Sequence, residues 1–141
     1  MSELIQHYES LFETHGSESV ESVQAARVDQ QNRRFQILFE MKNDMNSILD
    51  VGCGLGHMLK FMQNSNSDKS QINYFGVDFT PSFIDYCQKN LSSDFANFQI
   101  SDLNNDILPN RQDYCLLSGV FNNTMPDNIT FMKETLKKMF D

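Results

Sequence analysis

Tryptophan is missing from the 141 residues, and cysteine, proline and glycine are scarce at 3, 3 and 6. The three cysteines, Cys53, Cys87 and Cys115, form no CxxC pair. That excludes a disulfide framework and leaves a structural zinc site without its usual ligand spacing. His7, His15 and His57 are scattered, so no metal site is expected. Basic residues are also few. Lys plus Arg total 11 against 19 Asp plus Glu, a net charge of -8. Such a balance repels a phosphate backbone and an anionic membrane surface, so neither nucleic acid nor membrane is an expected partner. No apolar run approaches the ~20 residues of a membrane-spanning helix. The segment from Met1 to Gln6 is polar and carries Glu3, unlike a signal peptide. A reducing, cytoplasmic location is the expectation.

What is present is an ordinary globular composition, 40% hydrophobic and 21% charged. A chain of this size hides roughly two-thirds of its unfolded surface. Residues 1–45 read as helical. Leu4, Ile5, Tyr8, Leu11 and Phe12 have helical spacing from Glu3 to Thr14, and Gly16-Ser17 breaks the pattern. A second, longer helix is expected from Ser19 to Asn43, with Val20, Val23, Val28, Phe35, Leu38 and Phe39 apolar. Its middle, Asp29 to Arg34, is polar, and either faces solvent or lines a site.

From residue 46 to 141 the period changes. Short apolar runs at 47–51, 72–77, 98–100 and 114–117 read as buried parallel strands. Helices are expected at 56–63, after Thr80-Pro81, and from Pro126 onward, with a polar loop over 64–71. Thr80 reads as an N-cap and Pro81 as a first helical residue. In the last helix Ile129, Met132, Leu136 and Met139 share one face. Alternating strands and helices make an α/β fold with a parallel sheet of about four strands, whose ligands bind beyond the carboxyl ends of the strands.

Those ends carry the chemistry. The first runs Asp50-Val51-Gly52-Cys53-Gly54-Leu55-Gly56, glycines at alternate positions, with a helix start beyond to offer N–H groups to an anion. The third glycine comes one residue too early for a dinucleotide fingerprint, and no Lys-Ser or Lys-Thr completes a P-loop. The second strand ends in Asp78, which can accept from both hydroxyls of a ribose. The third ends in Ser101-Asp102-Leu103, where Asp102 can accept from an exocyclic amine or simply make a turn.

ILDVGCGLGHML (48–59), GVDFTPSFID (76–85), FQISDLNND (98–106) and DYCLLSGVFNN (113–123), in that order, resemble the Rossmann-like S-adenosylmethionine-dependent methyltransferases. The resemblance implies a domain at 46–141 binding S-adenosylmethionine, under an N-terminal helical cap at 1–45. It implies that Asp50, Gly52, Cys53 and Gly54 line the methionine part. Asp78, with Phe79 beside it, would hold the ribose, and Asp102 and Leu103 would read adenine. Ser118 and Gly119 would face the sulfonium. Tyr8, Thr14-His15-Gly16 and Gln31-Asn32-Arg33-Arg34-Phe35 are similar to a bacterial subgroup, which implies that Tyr8 and His15 lie on the acceptor side. The Asn/Asp-Pro-Pro-aromatic motif of amine methyltransferases is replaced by Phe121-Asn122-Asn123-Thr124, so no catalytic residue is assigned. The family sheet continues with further strands after the fifth helix, whereas this sequence stops at Phe140-Asp141. The expectation is an incomplete sheet: a truncated chain, a subunit completed by a partner protein, or a homo-oligomer paired along strand four. The function implied is a small-molecule methyltransferase or a subunit of one; the alternative is a non-catalytic scaffolding subunit that keeps the cofactor fold.

Overall fold

In the computed structural model, residues 2–23, 27–41, 44–65, 72–109, 112–122 and 126–141 are described. Helix α1 (Ser2–His15), a 3-10 turn at Val20–Val23 and helix α2 (Val28–Glu40) precede strand β1 (Ser47–Val51). Helix α3 (His57–Asn64), strand β2 (Asn73–Asp78), helix α4 (Pro81–Asn90) and strand β3 (Ala96–Ile100) follow. Strand β4 (Tyr114–Leu117), a second 3-10 turn at Val120–Asn122 and helix α5 (Asn128–Phe140) complete the order. The four strands form one sheet in the order β3-β2-β1-β4, all pairs parallel. Thus β1 pairs with β2 on one side and β4 on the other, and the chain reverses its direction of travel across the sheet there. A crevice opens at such a reversal, beyond the carboxyl ends of the central strands.

Strand residues alternate between two covered faces. Ile48, Tyr74, Phe98 and Leu116 face a core built with Phe35 and Phe39 of α2, Met58 and Met62 of α3, and Ile84 and Cys87 of α4. Leu49, Val51 and Val77 face the other way, where Phe131 and Met139 of α5 pack. Helix α1 rests on α4 through edge-on aromatic contacts: Phe12 with Phe83 and Tyr86, and Tyr8 with Phe83. Each such pair adds about 0.5–1.5 kcal/mol beyond burial.

Three local expectations are corrected, and the placing of Thr80 and Pro81 at the start of α4 is met in position. Ser19–Asn43 is not one helix. Ser22 is fully buried and its hydroxyl donates to the carbonyls of Gly16 and Leu11, which holds the 3-10 turn against α1. Arg27 is then extended, at φ -154° and ψ 142°, so α2 starts afresh at Val28. Of the residues that the long helix would cover, 24–26, 42 and 43 lie outside the described residues, as do 66–71 of the polar loop. Thr80 stands at the N-cap of α4 without a side-chain cap bond. Helix α5 begins after Pro126, capped by Asp127, whose carboxylate accepts the Thr130 N–H at 3.0 Å. Its packed face is Phe131, Thr135 and Met139, while Ile129, Met132, Leu136 and Phe140 are exposed. The apolar row read in the sequence is therefore mostly the outward one.

Candidate functional site

A cavity of about 500 Å³ opens where the strand ends and the N-terminal helices meet. This lies within the usual range for small-molecule sites. Its floor is the loop after β1. Gly52, Gly54 and Gly56 take φ of +75°, +56° and +72°, a region that penalises any side chain. The space at all three is already filled, at Gly56 by Leu91 Cδ1, 2.5 Å from where a Cβ would stand. A Cβ on Gly52 would stand 2.3 Å from Val120 Cγ2, and one on Gly54 2.8 Å from Val23 Cγ1. Two segments distant in sequence thus roof the glycine loop, the first 3-10 turn from one side and the turn after β4 from the other.

Two buried carboxylates stand at the floor. Asp50, 2% exposed, accepts from the Tyr74 hydroxyl at 2.5 Å. Burial raises its pKa to about 7, the Tyr74 bond pulls it down, and the Asp78 charge pushes it up again. Asp78 accepts the Gly54 N–H at 3.0 Å and the Thr80 N–H at 2.9 Å. Burial also raises its pKa, against the pull of these backbone bonds. Asp78 thereby fixes both the glycine loop and the start of α4, a task the sequence suggested for Thr80. An unpaired charge in such a place is costly, so these acids favour a ligand carrying positive charge or hydroxyl donors.

The walls come from farther away. On α2, Gln31, Phe35 and Phe39 recur every fourth residue and are buried, and Gln31 and Arg34 line the cavity. Gln31 Nε2 lies 3.2 Å from His57 Nδ1, and His57 Nε2 lies 3.0 Å from the Ser17 carbonyl. Donor and acceptor types fix the arrangement: Nε2–H donates to Ser17, and Nδ1 accepts from Gln31. Burial lowers the His57 pKa, in keeping with this neutral form. Tyr8 meets Phe79 and Phe83 edge-on, with ring centroids 5.8 Å apart in both cases, making an aromatic wall.

Of the ten cofactor residues expected from the sequence, nine line this cavity: Asp50, Gly52, Cys53, Gly54, Asp78, Phe79, Leu103, Ser118 and Gly119. Asp102 does not line it; its carboxylate accepts from Asn104 N–H at 2.9 Å and Asn105 Nδ2 at 2.8 Å. Tyr8 and Asn122 are in the lining, while His15 is exposed at the end of α1 and Asn123 lies outside the described residues. The sequence reading missed Ser101, Val23 and Val120. The two valines carry no motif signal, whereas Ser101 stood in view beside Asp102. No group of three or more metal-ligating side chains occurs among the described residues.

A family model described as a methyltransferase domain matches residues 49–140. The chain belongs to this methyltransferase family. No curated protein matches the sequence. Among solved structures, this methyltransferase domain is similar to the plantazolicin methyltransferase BpumL, in complex with a pentazolic desmethylPZN analog and SAH. There the identity is 21%, the TM-score 0.61, and 96% of this chain covers 52% of that one. It is similar to a TehB-like SAM-dependent methyltransferase from Corynebacterium glutamicum at 20% identity and TM-score 0.56, covering 98% of this chain and 65% of that one. A complex of the Haloferax volcanii Trm112 methyltransferase activator with a methyltransferase gives 17% identity and TM-score 0.55, over 79% of this chain and 47% of that one. At these identities the likeness is one of fold: an α/β, Rossmann-like methyltransferase sheet. The domain spans 47% of the Haloferax chain's length and 65% of the Corynebacterium chain's.

Proposed function

We propose that the chain binds S-adenosylmethionine in the strand-end cavity and forms the cofactor-binding part of a small-molecule methyltransferase. The observation that carries this reading is the convergence of nine expected cofactor residues on one cavity of about 500 Å³. The residues present fit such a ligand. Two buried acids await donors or a cation, aromatic and aliphatic side chains supply walls, and the Ser101 hydroxyl is buried without a hydrogen-bond partner. When bound, the cofactor supplies an electrophilic methyl group on a positively charged sulfur.

The chain's own residues then bind and orient. Asp50, Gly52, Cys53 and Gly54 hold the amino-acid end, Asp78 and Phe79 the ribose, Leu103 the base, and Ser118 and Gly119 the sulfonium side. Asp50 keeps a proton to about pH 7, and a cation placed against it favours the ionised form. Residues 1–45 act as the cap, with the Gln31–His57–Ser17 chain of hydrogen bonds holding α2 and the segment after α1 together over the loop. Methyl transfer relies mostly on alignment, so these positioning contacts are the expected contribution of this chain to rate.

The acceptor side is proposed to be completed along β4, by further chain, a partner protein or a second copy. Among the described residues that strand ends the sheet, and Ile129, Leu136 and Phe140 of α5 are exposed at 62%, 37% and 89%. A non-catalytic, scaffolding subunit is the second reading, favoured by the same bare edge. Calorimetry with S-adenosylmethionine and S-adenosylhomocysteine tests the first. No heat and no thermal shift at millimolar ligand would overturn it. Asp78→Ala should weaken binding at least ~tenfold, since charge-assisted hydrogen bonds are each worth roughly 1.5–3 kcal/mol. Light scattering tests the edge, where a monodisperse monomer at micromolar concentration contradicts both forms of assembly.

A further inference from the structure

We propose that the Ser101 hydroxyl, rather than the Asp102 carboxylate, reads the nucleobase, and that the base pocket is therefore tolerant at the purine edge that it contacts. This rests on the cofactor reading above and deepens it.

Ser101 follows β3 directly, and its N–H donates to the Asp78 carbonyl at 2.9 Å. It thus lies one residue beyond Ile100, the register partner of the acid proposed for the ribose, on the side of the cavity where the group attached to that ribose is placed by this reading. The residue is 2% exposed, lines the cavity, and its Oγ has no hydrogen-bond partner. A buried hydroxyl left unpaired in a protein costs free energy that a ligand can recover. Leu103, 8% exposed, lines the same cavity and gives a base an apolar surface.

Asp102 is placed for a different task. It does not line the cavity, and both of its carboxylate oxygens accept bonds within the turn, from Asn104 N–H and Asn105 Nδ2. Its own N–H donates to the Asp106 carboxylate at 2.7 Å. The turn is also tied to α5, because Lys138 Nζ donates to the Leu103 carbonyl at 2.6 Å and the Asp106 carbonyl at 2.9 Å. Swinging the Asp102 carboxylate into the cavity would break two bonds in a turn that is anchored elsewhere.

The two groups differ in what they accept. An ionised carboxylate only accepts, so it demands an amine and repels a carbonyl in the same place. A hydroxyl rotates, donating to a carbonyl or ring nitrogen and accepting from an amine. Calorimetry on the full chain with S-adenosylhomocysteine and its 6-oxo analogue, S-inosylhomocysteine, separates them. Ser101→Ala should weaken S-adenosylhomocysteine binding about three- to tenfold, the loss of one neutral hydrogen bond. Its ligand-free melting temperature should be unchanged or higher, since an unpaired buried hydroxyl is removed. Asp102→Asn should leave affinity within about twofold, and the unaltered chain should bind the inosyl analogue within about threefold, since one rotating hydroxyl serves either edge. Tenfold loss in Asp102→Asn with Ser101→Ala unaffected overturns the proposal, as does rejection of the inosyl analogue by about a hundredfold. Should Asp102→Asn fail to fold, the analogue comparison on the unaltered chain decides alone. Binding by the unaltered chain that Ser101→Ala does not change overturns this inference only. No binding at all by the unaltered chain overturns the cofactor reading and this one with it.

Discussion

Replacing Asp50 by Asn should make the chain more stable at neutral and alkaline pH while weakening the proposed cofactor site. Asn matches the carboxyl in shape and retains an oxygen to accept from the Tyr74 hydroxyl, but it carries no charge. The folded chain keeps the Asp50 proton to about pH 7, whereas the ordinary value is 3.8. Between these values the folded state holds one proton that the unfolded state has released, so stability falls as pH rises. The slope is about 1.4 kcal/mol per pH unit, and the loss is about 4 kcal/mol once pH exceeds the folded value. Asp50→Asn escapes that loss. The useful range lies above the sequence pI of about 4.7, where net charge keeps the chain dispersed. Urea unfolding of both proteins from pH 5.5 to 8 should show the variant's advantage widening by about 2 kcal/mol as pH rises, following the same linkage. Calorimetry on the same samples should show weaker S-adenosylmethionine binding by the variant. An advantage that stays flat across this range would mean that Asp50 is already ionised in the folded chain, and the argument from its burial would fail.

Other changes test the scaffold around it. Gly52→Ala should lose about 1–2 kcal/mol in denaturant midpoint analysis from its positive φ alone, and more because the new Cβ meets Val120. His57→Ala should lower stability above about pH 6.5. The folded His57 resists protonation, so its contribution is full above the unfolded value and declines as pH falls below it; the gap between the two proteins should shrink toward pH 5. Lys138→Met leaves the Leu103 and Asp106 carbonyls without their donor and should cost about 1–3 kcal/mol, read by thermal melting. A melt unchanged from the parent would mean that solvent replaces the ammonium at no cost.

The sheet was readable from the chain because a parallel strand buried on both faces leaves a short, mostly apolar run, as in Ile48 to Val51, broken only by Asp50, and Tyr114 to Leu117. The extra residues of β3, beginning at Ala96, were not. The Ser93–Ala96 bridge and the pairing with β2 define them, and both depend on contacts rather than composition. The N-terminal helices were half legible. Phe35 and Phe39 announced the packed face of α2, but Gln31 belongs to that face as well, its polarity answered by His57 twenty-six residues away. Likewise nothing in the pattern marks Ser22 as the residue that ties the 3-10 turn to α1. For the site, glycine spacing and strand-end acids located the cavity. What the pattern could not weigh was competition for Asp102, because two neighbouring asparagines claim its oxygens only once the turn has formed.

The order β3-β2-β1-β4 carries a consequence for how the molecule assembles. The β1–β2 pairing closes a short stretch of chain, as the Asp50–Tyr74 bond does across 24 residues. Docking β4 closes a longer one: Asp113 N–H reaches the Ser47 hydroxyl across 66 residues. The longer closure costs about 1 kcal/mol more in chain entropy. Strands β1 to β3 and their helices therefore make a local unit that can form during synthesis, and β4 joins it last. Ser118, Gly119 and Val120 arrive only with β4, so the glycine loop stays open on one side until that strand docks. Anything that fills the cavity then holds β4 in its place, and the amides of β4 should gain the most hydrogen-exchange protection when the site is occupied.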